Sequence, residues 1–224
     1  MTRHLVTSAM FAGVAVGLIA ALLQFWLVMP LLLEGELYEA GVRIHGAAPA
    51  ESAVSIPPLD LRRTLLTAGF NVVTFTAYAL ILLALMAFVE IRGHALTLRQ
   101  GVLWGLAGFV AVHLAPAIGL PPELPGTVAA DLVARQVWWL ATVLASALGI
   151  AIFAFAHSPA LWPISLTLLL APHAIGAPQP GAFNGVAPPE LAALFVARSL
   201  GVAAASWVAL GLLASFFWTR TRIT

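Results

Sequence analysis

The chain has 224 residues, of which 62% are hydrophobic and 8% charged, with a formal net charge of +1. An ordinary soluble domain is about 25% charged, so a water-soluble fold is excluded, and so small a net charge supplies no basic field for nucleic acid. There is no cysteine, which removes disulfides, iron–sulfur clusters, thiolate metal sites and Cys nucleophiles.

The apolar residues come in long blocks, as bilayer-spanning helices require and alternating barrel strands do not. Met1-Thr2-Arg3-His4 precedes an apolar stretch that runs to Leu33. A signal-peptide core is about 7–15 residues, so this stretch reads as a retained first helix. Six spans are predicted, near residues 8–33, 65–89, 101–119, 137–156, 160–176 and 191–218. The fold class is therefore an all-α polytopic membrane protein, read as a single membrane domain over 1–224. The fifth span is short and is punctuated by Pro159, Pro163 and Pro172. Broken backbone at membrane depth is tolerated where it lines a cavity, so this span points toward a site.

With six spans both termini share one side with the 90–99 and 157–159 turns. That side carries Arg3, Arg92, Arg99, Arg220 and Arg222 and one acid, Glu90. The other side carries Arg43, Arg62, Arg63, Arg135 and Arg198 together with Glu34, Glu36, Glu39, Glu51, Asp60, Glu123, Asp131 and Glu190. The Arg count ties, and the short Arg-bearing 90–99 loop with the C-terminal Arg pair tips the expectation to cytoplasmic termini.

Each loop on the opposite side pairs a His with a downstream Pro-Pro: His45 with Pro57-Pro58, His113 with Pro121-Pro122, and His173 with Pro188-Pro189. An acid and then an Arg follow each pair. Three ordinary helix starts explain this, since Pro and an acid both suit a first helical turn. The alternative is a threefold repeat of helical hairpins around one axis.

His113 lies fourteen residues beyond Arg99, and His173 fourteen beyond Pro159. At 1.5 Å per residue both reach roughly 20 Å into a core of about 30 Å, where an ionisable side chain is a functional candidate. Neutral imidazole is a common metal ligand, and Glu34, Glu36, Glu39, Glu123 and Asp131 can add oxygen ligands at the same mouth. Such a set without thiolate suits Co, Ni, Zn or Mn rather than Cu(I). A His near a helix end can equally cap a carbonyl or face water. His4, His94 and His157 are assigned to the interface. Trp26, Trp138-Trp139 and Trp218, near span ends, read as an aromatic belt, and Gln24 and Asn71 as interhelical hydrogen-bonding groups. No Walker, Rossmann or His-Glu-x-x-His motif occurs, so no enzyme activity is expected. A membrane redox subunit binding haem or quinone through His113 and His173 is the alternative function.

Four segments resemble the CbtA family of bacterial cobalt transporter subunits: Pro30-Leu-Leu-Leu-Glu34-Gly-Glu36-Leu-Tyr38-Glu39, His113-Leu-Ala-Pro-Ala-Ile-Gly-Leu-Pro-Pro-Glu123-Leu-Pro-Gly126, Ala134-Arg135-Gln136-Val-Trp138-Trp139, and Ala171-Pro172-His173-Ala-Ile-Gly176-Ala-Pro178. The resemblance implies a multi-pass protein of the bacterial inner membrane that takes up Co2+ for cobalamin synthesis, beside a single-span CbtB-like partner with a His-bearing tail. No His-rich loop occurs in this chain, so such a tail would have to come from the partner. Combined with the residue pattern, it implies that Glu34, Glu39, His113, Glu123 and His173 form the outer metal site. Co2+ or Ni2+ would be the transported ion, with no permanently bound cofactor, and assembly into an oligomer is open. Arg135 either pairs with Glu123 or Asp131 or caps a helix.

Overall fold

The computed structural model describes residues 2–46 and 60–220. Glu51, Pro57-Pro58 and Arg222 lie outside the described residues, and with them part of the first His and Pro-Pro pairing. Among the described residues the regular elements are helical, apart from one isolated bridge between Thr127 and Gly185. Five of the six expected spans are helices long and apolar enough to cross a membrane: Thr2–Glu39, Leu61–Ile91, Leu98–Gly119, Leu132–Phe155 and Pro189–Arg220. The remaining one, Pro159–Ile175, is present as a shorter apolar helix. The protein is an all-α polytopic membrane protein.

Two spans are not regular. The first comprises α1 (Thr2–Leu23), a π-helical turn Gln24–Val28, and α2 (Met29–Glu39). After α3 (Leu61–Ile91), the third helical stretch repeats the device, with α4 (Leu98–Phe109), a π-helical turn Val110–Leu114, and α5 (Ala115–Gly119). Pro30 and Pro116 occupy the first turn of the α-helix that resumes after each π turn. Proline lacks an N–H and crowds the carbonyl four residues back, and a π turn is one of the few ways a helix absorbs that. The chain continues through α6 (Leu132–Phe155), α7 (Trp162–Ile175, entered by a 3-10 turn at Pro159–Leu161) and α8 (Pro189–Arg220).

The helices form two compact units. The first comprises residues 1–27, 57–109 and 201–224. In it α1 buries Ser8, Ala9, Ala12, Gly13, Val16, Gly17, Ala20 and Ala21, a face of small residues at helical spacing. Gly13 and Gly17 bring it against the backbone of Thr76 and Val72 on α3, the close approach that association within a bilayer relies on. Gly101 and Gly105 on α4 do the same against Ser215 and Trp207 on α8. The large apolar side chains left outside, among them Phe11, Leu22, Phe70 and Ile81, suit contact with lipid.

Trp218 departs from the aromatic-belt expectation. It is fully buried, stacks on His4 with centroids 4.5 Å apart, and donates Nε1–H to Glu90 at 2.9 Å. His4 Nε2 lies 3.0 Å from the Trp218 carbonyl. The acid and the imidazole assigned to the interface are thus part of a knot tying α1, α3 and α8. Gln24 and Asn71 do form the expected interhelical bond, with Asn71 Nδ2 donating to Gln24 Oε1 at 2.8 Å.

Candidate functional site

All five residues expected to ligate metal fall in the second unit, residues 28–56 and 110–200. One end of this unit is built by α2, the 120–131 loop and the 176–188 loop. The two loops are joined by the Thr127–Gly185 bridge and by Val128 N–H donating to the Asn184 carbonyl at 2.9 Å. Gln179 Nε2 donates to the Gly119 carbonyl at 3.3 Å, which ties the second loop to α5. Gly126, at φ +76°, turns the first loop back beneath Val186 and Glu39. Leu124 is buried and packs on Gly35 of α2. A neighbour of Glu123 therefore rests on a neighbour of Glu34, and Glu39 borders Gly126. The three expected carboxylates belong to one end of one unit.

Two of them are ion-paired. Glu34 holds the Arg43 guanidinium, and Glu123 accepts from Arg135 Nη2 at 2.7 Å. The second pairing was one of the alternatives open from sequence. The first links positions nine apart across the end of α2, a spacing with no helical signature. Asp131 is the N-cap of α6, one of its oxygens accepting from Ala134 N–H at 2.9 Å. Among the described residues no group of three or more His, Asp or Glu side chains is arranged to hold a metal ion. The end is a mixed-charge mouth in which two of the acids are already paired with arginines.

His113 lies in the π turn Val110–Leu114, and His173 near the end of α7. Trp138 of α6 stands beside both stretches. It donates Nε1–H to the Pro172 carbonyl at 3.2 Å, and its ring lies edge-on to His173 with centroids 6.1 Å apart. A Cβ placed on Gly119 would come 2.6 Å from Ala177 Cβ and 2.7 Å from Trp138 Cη2. Gly119 and Ala177 are therefore level with each other. His113 is six residues before Gly119 and His173 four before Ala177. Both imidazoles thus lie within a few residues of this contact. α7 ends here at Gly176, at φ +88°, whose N–H donates to the Pro172 carbonyl at 3.1 Å.

The Pro-Pro pairs do not play equivalent parts. Pro189-Glu190 opens α8, with the acid in the first turn, as the helix-start reading expects. Pro121-Pro122-Glu123 sits well before α6, within the loop that carries Glu123 to the mouth. An apolar groove of about 710 Å³, lined by residues including Asp131, Ala134, Trp138, Ala145, Pro172 and Ile175, runs along α6 and α7. Its lining is chiefly apolar, so it offers no metal ligands beyond Asp131. The signals that sequence reasoning missed are the two π turns, although Pro30 and Pro116 inside apolar runs mark where they fall.

Neither a search of curated proteins nor one of solved structures returns a match. The sequence model of the family described as "Probable cobalt transporter subunit (CbtA)" matches residues 2–219, nearly the whole chain. This multi-pass membrane protein belongs to the CbtA family of transporter subunits.

Proposed function

We propose that this chain carries Co2+, or Ni2+ as the competing ion, inward across the bacterial inner membrane for cobalamin synthesis, with both termini cytoplasmic and a single-span, CbtB-like subunit as partner. The ion is captured by Glu34, Glu39 and Glu123 and handed to His113 and His173. The observation that carries this reading is the gathering of all five residues into one compact unit, with the acids at its looped end. Carboxylates concentrate the hydrated dication, and neutral imidazoles can then replace part of its water. The arginines set the strength of capture. Glu34 and Glu123 each exchange a guanidinium for the metal, so the ion is held loosely enough to move on.

The test is radioactive cobalt uptake in cells expressing the chain with its neighbouring small subunit, comparing wild type with His113→Ala and His173→Ala at equal membrane abundance. Loss of uptake in either variant with nickel competing in wild type is the expected result. Uptake no greater than in cells lacking the chain would sink the reading.

A further inference from the structure

Helical hydroxyls in this protein usually satisfy themselves by donating to the carbonyl four residues back. Thr76 donates to Val72 at 2.7 Å, Thr142 to Trp138 at 2.8 Å and Thr167 to Pro163 at 2.8 Å. Ser146, one turn along α6 from Thr142, does not. Its residue is 0% exposed, and its Oγ has no hydrogen-bond partner among the described residues. A buried hydroxyl left so costs on the order of 1–3 kcal/mol.

The group opposite Ser146 follows from the register of two antiparallel stretches of the second unit. Gly119 meets Trp138. Four residues back on one stretch and four forward on the other pair Ala115 with Thr142, and four more pair Ala111 with Ser146. Ala111, Ala115, Thr142 and Ser146 are all buried, as the facing sides of packed helices must be. Ser146 is thus level with the π turn Val110–Leu114.

That turn is short of a donor. An α-helix pairs the Val112 carbonyl with the N–H of residue 116, and π geometry offers the Ala111 carbonyl that same N–H. Residue 116 is proline and has none. That one missing N–H leaves the Ala111 and Val112 carbonyls a donor short, at the depth where the Ser146 hydroxyl is unpartnered. All three groups are neutral oxygens, and no carboxylate lies in α4, the π turn, α5 or α6.

We propose that the Ala111 and Val112 carbonyls and Ser146 Oγ bind a monovalent hard cation, sodium. Neutral oxygens at a helix break suit such an ion. A transition-metal dication would call for an imidazole or a carboxylate in the set, and these three oxygens supply neither. The site sits directly beside His113 in the chain, so sodium descending its gradient is placed to drive the metal step. Of the three unpartnered buried hydroxyls among the described residues, Ser146, Ser199 and Ser206, Ser146 is the one this register sets opposite the π turn.

The test uses the purified full-length chain in lipid nanodiscs, without cobalt, so its outcome is separate from that of the uptake experiment. The thermal midpoint is followed as choline chloride is replaced by sodium chloride at constant ionic strength. Wild type is expected to show saturable stabilisation by sodium, as any ligand of the folded state gives. Ser146→Ala, which removes a ligand, and Pro116→Ala, which restores the N–H, are each expected to move half-saturation at least tenfold higher. Ser206→Ala should titrate as wild type. Equal midpoints in sodium and choline, an unmoved half-saturation point in Ser146→Ala, or an equal shift in Ser206→Ala would each overturn the proposal. If Ser146→Ala does not fold, Pro116→Ala carries the same reading.

Discussion

Removing Arg135 should strengthen cobalt capture. Its guanidinium lies 2.7 Å from Glu123, and the two side chains are 26% and 29% exposed, so the pair is wet enough for water-like screening. A dication held on the far side of that carboxylate would lie roughly 5 Å from the guanidinium, where the repulsion between charges of two and one is about 1.7 kcal/mol at a dielectric near 80. Salt reduces this, since the Debye length at physiological ionic strength is about 8 Å. Arg135→Ala should therefore lower the apparent KM for cobalt about tenfold at low salt, and by less at high salt. Glu123→Ala should raise it. The assay is initial-rate cobalt uptake over a concentration series at two ionic strengths, with membrane abundance matched. If Arg135→Ala raises KM as Glu123→Ala does, the arginine holds the loop in place and the competition argument is wrong.

Three further outcomes concern packing. Gly119→Ala would drive a methyl into Ala177 and the Trp138 ring, an overpacking cost of about 1–3 kcal/mol, read as a lower thermal midpoint of the purified protein with reduced uptake. Trp218→Phe keeps an aromatic ring against His4 but loses the bond to Glu90, about 1 kcal/mol. Trp218→Ala should cost about 3–5 kcal/mol, and the same thermal scans would separate the two. Ser165→Ala removes the buried bond to the Gly149 carbonyl, and because interhelical bonds in bilayers average about 0.6 kcal/mol it should shift the midpoint only slightly.

What could be read from the chain follows the range of each physical signal. Apolar runs are local and long, so the five span-length helices came through, with ends displaced because an apolar helix passes the bilayer boundary without a change of residue type. α2, for example, continues through Glu34 and Glu36 to Glu39 where the apolar run stops at Leu33. Aromatic placement did not come through as well. Trp218 sits near a span end, as belt residues do, yet nothing local distinguishes it from one whose indole meets a carboxylate 128 residues away. The Arg43–Glu34 and Arg135–Glu123 pairs have the same character. Charge content announced a mouth with both signs, while the partners depended on how the chain turns after α2 and before α6.

The most informative residues were the prolines, and their meaning changed with context. Pro189 does what a first-turn proline is expected to do. Pro172 keeps its place inside α7 and offers its own carbonyl to both the Gly176 N–H and the Trp138 indole. Pro30 and Pro116 each stand six residues after the first residue of a π turn, and each removes one N–H donor from the turn before it. A proline in an apolar run thus signals released backbone oxygen when it follows helix and opens the next helical turn. In the second unit that oxygen lies beside an imidazole and opposite an unpartnered hydroxyl. In the first unit the π turn begins at Gln24, whose amide is already bonded to Asn71. The same backbone device has a side-chain partner there that Ser146 lacks, which is why the ion site is assigned to one π turn and not to both.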